Sequence, residues 1–243
     1  MKKVSLAVFL LLMFPMTSYA SLFTASSGDL AASVDFSLVG GNLRVILTNT
    51  STADVLAPGQ VLTAVFFDIV GVGGLTPVSA NLNTGSTVLF APAGGSGPNV
   101  GGEWAYASGI TGPGAATEGI SSSGFGLFGS GNFGGTNLQG PAAVGGLQYG
   151  ITSAGDNPLT GNTPVMGGSK GDPTALIKNS VVFLLSGLPV GFDPSVENVK
   201  NVSFQYGTAL TDKNLPVPEP ATMLLLGCGL IGLAGFGRKQ LLK

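Results

Sequence analysis

One stretch, "SVDFSLVGGNLRVILTNTS", constrains the fold more than any other part of the chain. Val34, Phe36 and Leu38 alternate with polar or small residues, Gly40, Gly41 and Asn42 supply a turn, and Leu43, Val45 and Leu47 alternate on the return. A period of two points one side of each run at a core and the other at solvent. Two such runs across a glycine-rich break make a β-hairpin. An isolated hairpin is marginal in water, so its apolar face needs further strands to cover it.

The later segments supply those strands. "QVLTAVFFDIVG" reads as a largely buried strand interrupted by Asp68, and "LTPVSANL" and "STVLFAP" as short strands. "NSVVFLLSGLP" is a strong strand, and "NVKNVSFQYGTAL" a final one with Val199, Val202, Phe204 and Tyr206 mostly on one face. Gly109 to Gly168 is dense in glycine but also carries Phe125, Leu127, Phe128 and Phe133. Disordered linkers are poor in aromatics, so this segment is expected to form ordered loops between strands. Neither an amphipathic helix nor an internal repeat emerges between the chain ends. The expected fold is all-β: a single antiparallel β-sandwich-like domain over residues 21–210, followed by a polar, proline-containing linker over 211–217.

Both ends differ from this middle. The chain opens "MKKVSLAVFLLLMFPMTSYA", with Lys2 and Lys3 ahead of an apolar run from Val4 to Met16. Small residues at Ser18 and Ala20 follow, as signal peptidase requires. Residues 1–20 are expected to be a signal helix cut between Ala20 and Ser21. At the other end, Pro218, Glu219 and Pro220 precede an apolar run from Ala221 to Phe236, and Arg238, Lys239 and Lys243 close the chain. As a helix the run spans ~24 Å at ~1.5 Å per residue, slightly less than a ~30 Å hydrocarbon core. The basic cluster is expected to stay inside and the body outside.

With the ends set aside, Ser21 to Val217 holds five basic residues against eleven acidic ones, a net charge of −6. That surface repels phosphate backbones and argues against nucleic-acid binding. The lone cysteine, Cys228, lies inside the C-terminal apolar run, so the body has no disulfide framework. The chain contains no histidine. Ser-His-Asp and Cys-His catalysis and histidine-ligated metals are thereby excluded. Carboxylates remain at Asp35, Asp68, Glu103, Glu118, Asp156, Asp172 and Asp193, in no paired motif, and the body is expected to be non-catalytic with no cofactor. Asp156, Asn157 and Asp172 are weak calcium candidates, at a spacing that is neither an EF-hand nor a nonapeptide repeat. Trp104, Tyr106 and Tyr149 are candidates for stacking on sugar rings.

The tripartite C-terminus of proline-glutamate-proline triplet, apolar helix and basic cluster resembles the PEP-CTERM sorting signal of Gram-negative bacteria. "TAVFFDIVG", "GGEWAYASG", "SSSGFGLFG", "LQYGITSAGDNP" and "VSFQYGTAL" in the body are similar to a family of exosortase-dependent surface proteins. The resemblance implies a sorting domain over 218–243, with its motif at 218–220, its membrane helix at 221–236 and its basic tail at 237–243. It implies an exosortase as processing partner, a transient stay in the inner membrane, and delivery to the cell surface or an exopolysaccharide biofilm matrix. It brings no catalytic residues. Proline fixes its own φ and restricts the residue before it, so "PVPEP" is expected to stand extended outside the membrane, where an enzyme can grip it without unwinding a helix. Two alternatives for the body are a carbohydrate-binding module for matrix polysaccharide, built around Trp104, and a carboxylate-dependent hydrolase.

Overall fold

The computed structural model describes residues 20–91, 97–129, 131–133, 138, 140–141, 147–160 and 174–218. All of the expected signal helix over 1–20 except Ala20, which opens a strand, lies outside these residues, as does the expected membrane helix over 221–236. Among the described residues, no helix is long and apolar enough to cross a membrane.

The described chain forms fifteen strands and three single 3-10 turns. In order, the strands are β1 (Ala20–Ser27), β2 (Leu30–Val39), β3 (Asn42–Asn49), β4 (Leu62–Ile69), β5 (Thr76–Leu82), β6 (Thr87–Leu89), β7 (Ala105–Ser108), β8 (Glu118–Ser121), β9 (Asn132–Phe133), β10 (Gly140–Pro141), β11 (Ile151–Thr152), β12 (Leu176–Lys178), β13 (Ser180–Ser186), β14 (Val199–Tyr206) and β15 (Asn214–Pro216). One sheet has the order β1-β2-β3-β13-β5 and is antiparallel throughout. The second runs β15-β14-β4-β11-β12-β6, with β8 also on β4 and β7 on β8. Two short pairings, β11 with β12 and β9 with β10, are parallel, so the all-β expectation holds while the purely antiparallel one does not.

The opening hairpin follows its sequence pattern. In β3, residues from Leu43 to Asn49 alternate between buried and half-buried, with Leu43, Val45 and Leu47 facing in. The β2–β3 register pairs Phe36 with Val45 and Val34 with Leu47. These side chains join one apolar cluster with Val65 and Phe67 of β4, Ile120 of β8, Phe183 of β13 and Phe204 of β14. The two sheets therefore meet across a common core. Phe36 and Phe67 touch edge-to-face across it, with ring centroids 5.2 Å apart.

β4 is buried on both faces over most of its length, which explains an apolar run broken only by Thr63 and Asp68. Val65, Phe67 and Ile69 face the main core, whereas Ala64 and Phe66 face outward into a second cluster with Ala105, Ala116, Phe128 and Phe133. Described residues of the glycine-rich segment, among them Ala116, Phe125, Phe128 and Phe133, form this outer cover. Phe125 and Phe128 lie 6.3 and 6.2 Å from the Phe66 ring. Cβ atoms at Gly112 or Gly119 would come within 2.8 Å of Phe66 Cδ1, so glycine is what lets this backbone lie on the ring.

In β14, the ladder to β4 slips between Lys200 and Ser203. Asn201 sits there at φ 50°. This bulge lets Val199 and Val202, three residues apart, share the buried face.

Candidate functional site

The C-terminal segment leaves the body from a sheet edge. Leu215 of β15 is buried in the main core. Asn214 Nδ2 donates to Gln205 Oε1 at 3.2 Å, and the Val217 N–H donates to the Val202 carbonyl at 2.9 Å. Within the expected linker over 211–217, Asn214–Pro216 form an edge strand, because Leu215 finds a core position and Asn214 a polar partner. Pro216 has no N–H to offer, which an edge strand tolerates. Pro216 and Pro218 line a groove of about 490 Å³ with Thr24, Ala25 and Ser26 of β1, Ala31 and Ala32 of β2, and Thr50. Glu219, Pro220, Arg238 and Lys239 lie outside the described residues. At the other terminus, Ala20 is exposed and Ser21 buried at the start of β1, where Ser21 pairs with Phe36.

Trp104, Tyr106 and Tyr149, the candidates for stacking on sugar rings, form no exposed platform. Trp104 is fully buried against Phe183, ring centroids 5.0 Å apart. Tyr106 and Tyr149 are 6% and 5% exposed, too little surface to stack on a sugar. Each sits in the main core because two sheets cover it. Tyr106 has a polar task instead. Its hydroxyl donates to Glu118 Oε2 at 2.7 Å and accepts from the Leu75 N–H at 2.8 Å. Burial pushes the Tyr106 phenol well up, and the Glu118 carboxylate it contacts adds to the shift. Burial likewise raises the Glu118 carboxyl, against the lowering effect of the Tyr106 hydrogen bond. A cleft of about 300 Å³ opens beside this pair, lined by Pro77, Ser108, Asn132 and Leu138.

The remaining acids divide by environment. Asp68 lies half-buried on the outer side of β4 and accepts from Thr117 and Asn201. Glu103 is half-buried, accepts from Gln148 Nε2 at 2.9 Å, and is raised by burial. Among the weak calcium candidates, Asp172 lies outside the described residues. The Asn157 side chain is taken by its own turn, accepting the Leu159 N–H at 3.1 Å. Asp156 is 1% exposed, and its neighbour is a residue the sequence pattern did not single out, Asp54. The Asn157 N–H donates to Asp54 Oδ1 at 2.9 Å, and the Val55 N–H donates to Asp156 Oδ1 at 3.1 Å. Each aspartate thus binds the residue following the other. No local pattern announces this pair, since 101 residues separate Val55 from Asp156.

Residues 216–239 match the family model of the PEP-CTERM protein-sorting motif. The match begins inside β15, on the proline that ends the strand. No curated protein and no solved structure matches the chain. The sorting motif supports an exported, membrane-transiting precursor processed by an exosortase for the cell surface.

Proposed function

We propose that the chain is a non-catalytic surface or extracellular-matrix protein of a Gram-negative bacterium. A signal peptide cut between Ala20 and Ser21 exports it. The segment at 221–236 holds it in the inner membrane until exosortase cuts at or near Pro218, Glu219 and Pro220. The observation that carries this reading is the PEP-CTERM match at 216–239, set directly against a folded β body. Delivery to an exopolysaccharide or biofilm matrix is the destination we favour, because the acidic, cysteine-free and histidine-free body has the composition of a passive component rather than a catalyst. A sugar-binding role centred on Trp104 has no support, given that the indole is buried.

The test is expression of the tagged full chain in hosts with and without the cognate exosortase, followed by mass spectrometry of the mature C-terminus. The expected result is a body ending near residues 217–220 only in the host with the enzyme. An identical, uncut C-terminus in both hosts would overturn the proposal.

A further inference from the structure

The loop from Thr50 to Val61 and the turn after β11 are built against each other. Ser153 Oγ donates to the Ala53 carbonyl at 2.6 Å. A Cβ at Gly155 would stand 2.3 Å from the Thr52 carbonyl oxygen, so only glycine permits this approach. Thr160 Oγ1 donates to Asp54 Oδ2. Together with the reciprocal bonds to the Val55 and Asn157 N–H groups, these contacts bring the Asp54 and Asp156 carboxylates side by side, each against the residue that follows the other.

Two carboxylates this close repel unless something positive lies between them. The Asp156 side chain is almost wholly buried, and its Oδ2 has no hydrogen-bond partner. The hydroxyl of nearby Thr152 reaches the Ile177 carbonyl at 3.4 Å and also interacts with the Asp156 carboxyl, leaving Oδ2 itself without a donor. The Lys178 ammonium is taken by the main-chain carbonyl of Asp156, at 2.7 Å. A buried anionic oxygen left without a donor costs more than most proteins tolerate. Asp54 keeps the pair open on one side, being only half-buried.

We propose that Asp54 and Asp156 form a calcium site, with Asp156 Oδ2 and the Asp54 carboxylate as its protein anchors and water completing the shell. The chemistry is that of a hard cation with oxygen ligands. No third acidic, cysteine or histidine side chain joins the pair among the described residues. Few charged ligands give weak binding, with a Kd on the order of 0.1–1 mM, as in extracellular calcium modules. Magnesium fits less well, because the fixed, braced carboxylates do not offer the near-ideal octahedron it demands. The site stands on the loop geometry and is independent of how the chain is sorted.

The experiment is calorimetric titration of the purified, chelator-stripped full chain in detergent with calcium chloride and magnesium chloride at pH 7, with thermal unfolding in parallel. The expected result is saturable heat for calcium with a sub-millimolar to millimolar Kd, weaker heat for magnesium, and an unfolding temperature raised by about 4–8 °C at 10 mM calcium. Asp156→Asn and Asp54→Asn should each abolish the rise. Three outcomes would overturn the site: no calcium heat with the native chain, a calcium rise that persists in folded Asp54→Asn, or a native chain stabilised by acidification from pH 7 to 5 but not by calcium. The last would show a shared proton between the carboxyls. Because the native titration decides by itself, a variant that fails to fold does not leave the question open.

Discussion

Replacing Tyr106 by Phe removes one oxygen from the core, leaves the Leu75 N–H without its partner and takes one of the donors from the Glu118 carboxylate, which keeps the Ile69 main-chain bond. The hydroxyl accepts from the Leu75 N–H and donates to Glu118 Oε2, and Glu118 is 2% exposed, too little for water to take its place. An orphaned neutral donor costs ~1–3 kcal/mol, and a lost hydrogen bond to a charged group ~1.5–3 kcal/mol. Partial relaxation brings the total to about 2–5 kcal/mol. For a domain of this size, that lowers the unfolding temperature by roughly 5–15 °C. The loss also depends on pH. Burial raises the Glu118 carboxyl in the folded protein, so the folded state holds a proton that the unfolded state has released. Stability from this group therefore grows as pH falls through the raised folded value toward the ordinary value of 4.5. The Tyr106 hydrogen bond opposes the upward shift, so Tyr106→Phe moves the folded value higher still. Protonation then relieves part of the damage, and the variant should lie closer to the native protein at pH 5 than at pH 7. Calorimetric scans of both proteins at the two pH values measure this. A loss under 2 °C at pH 7, or one that is larger at pH 5, would refute the assignment of the Tyr106–Glu118 bond as a buried charge-assisted contact.

Two further substitutions probe the outer cover and the exit strand. Phe66→Ala empties the space that Phe125, Phe128, Gly112 and Gly119 enclose. It should cost about 3–5 kcal/mol, with limited proteolysis cutting first between residues 109 and 133. Leu215→Asp places a charge at a buried position of β15 and should detach that strand. The chain able to reach from Tyr206 to Pro220 would then extend to about 46–50 Å, and pulse-chase labelling in an exosortase-positive host should show faster conversion of precursor to mature protein.

The elements legible in the sequence were those whose signal is local. The hairpin of β2 and β3 follows from period-two alternation around Gly40 and Gly41, and each partner in its register lies within a few residues of the turn. The doubly buried β4 was legible as an apolar run, but not its reason. That reason is the glycine-rich cover over Phe66, whose contacts depend on the absence of Cβ atoms at Gly112 and Gly119. Composition shows glycine there without showing what approaches it. Trp104 carries the opposite lesson. A lone tryptophan beside a tyrosine reads equally as a binding platform or as core, and only the covering sheet decides. Leu215 was hidden inside a polar, proline-containing stretch, where one apolar residue does not make a strand pattern. Asp54 was hidden by distance along the chain, because the loop and the turn that bring it to Asp156 are joined only in the folded protein.

The docking of β15 changes what the sorting segment is physically. In sequence it is a tail, separable from the body by a flexible linker. In the fold, its first residues are hydrogen-bonded to β14, and Pro218 lines a groove that β1 also borders. From Pro218 to Ala221, where the apolar run begins, an extended chain covers only about 10 Å. A folded body anchored in the membrane would therefore stand at its surface, and an enzyme acting on Pro218, Glu219 and Pro220 would have to work against the body itself. An unfolded body has no such restriction, since β15 forms only when Leu215 enters the core. Cleavage before folding and cleavage after folding thus present different substrates to the same enzyme: a long free chain in one case, a braced stub in the other. Leu215→Asp makes the folded case look like the unfolded one. Faster processing in that variant places the cut after folding, and an unchanged rate places it before.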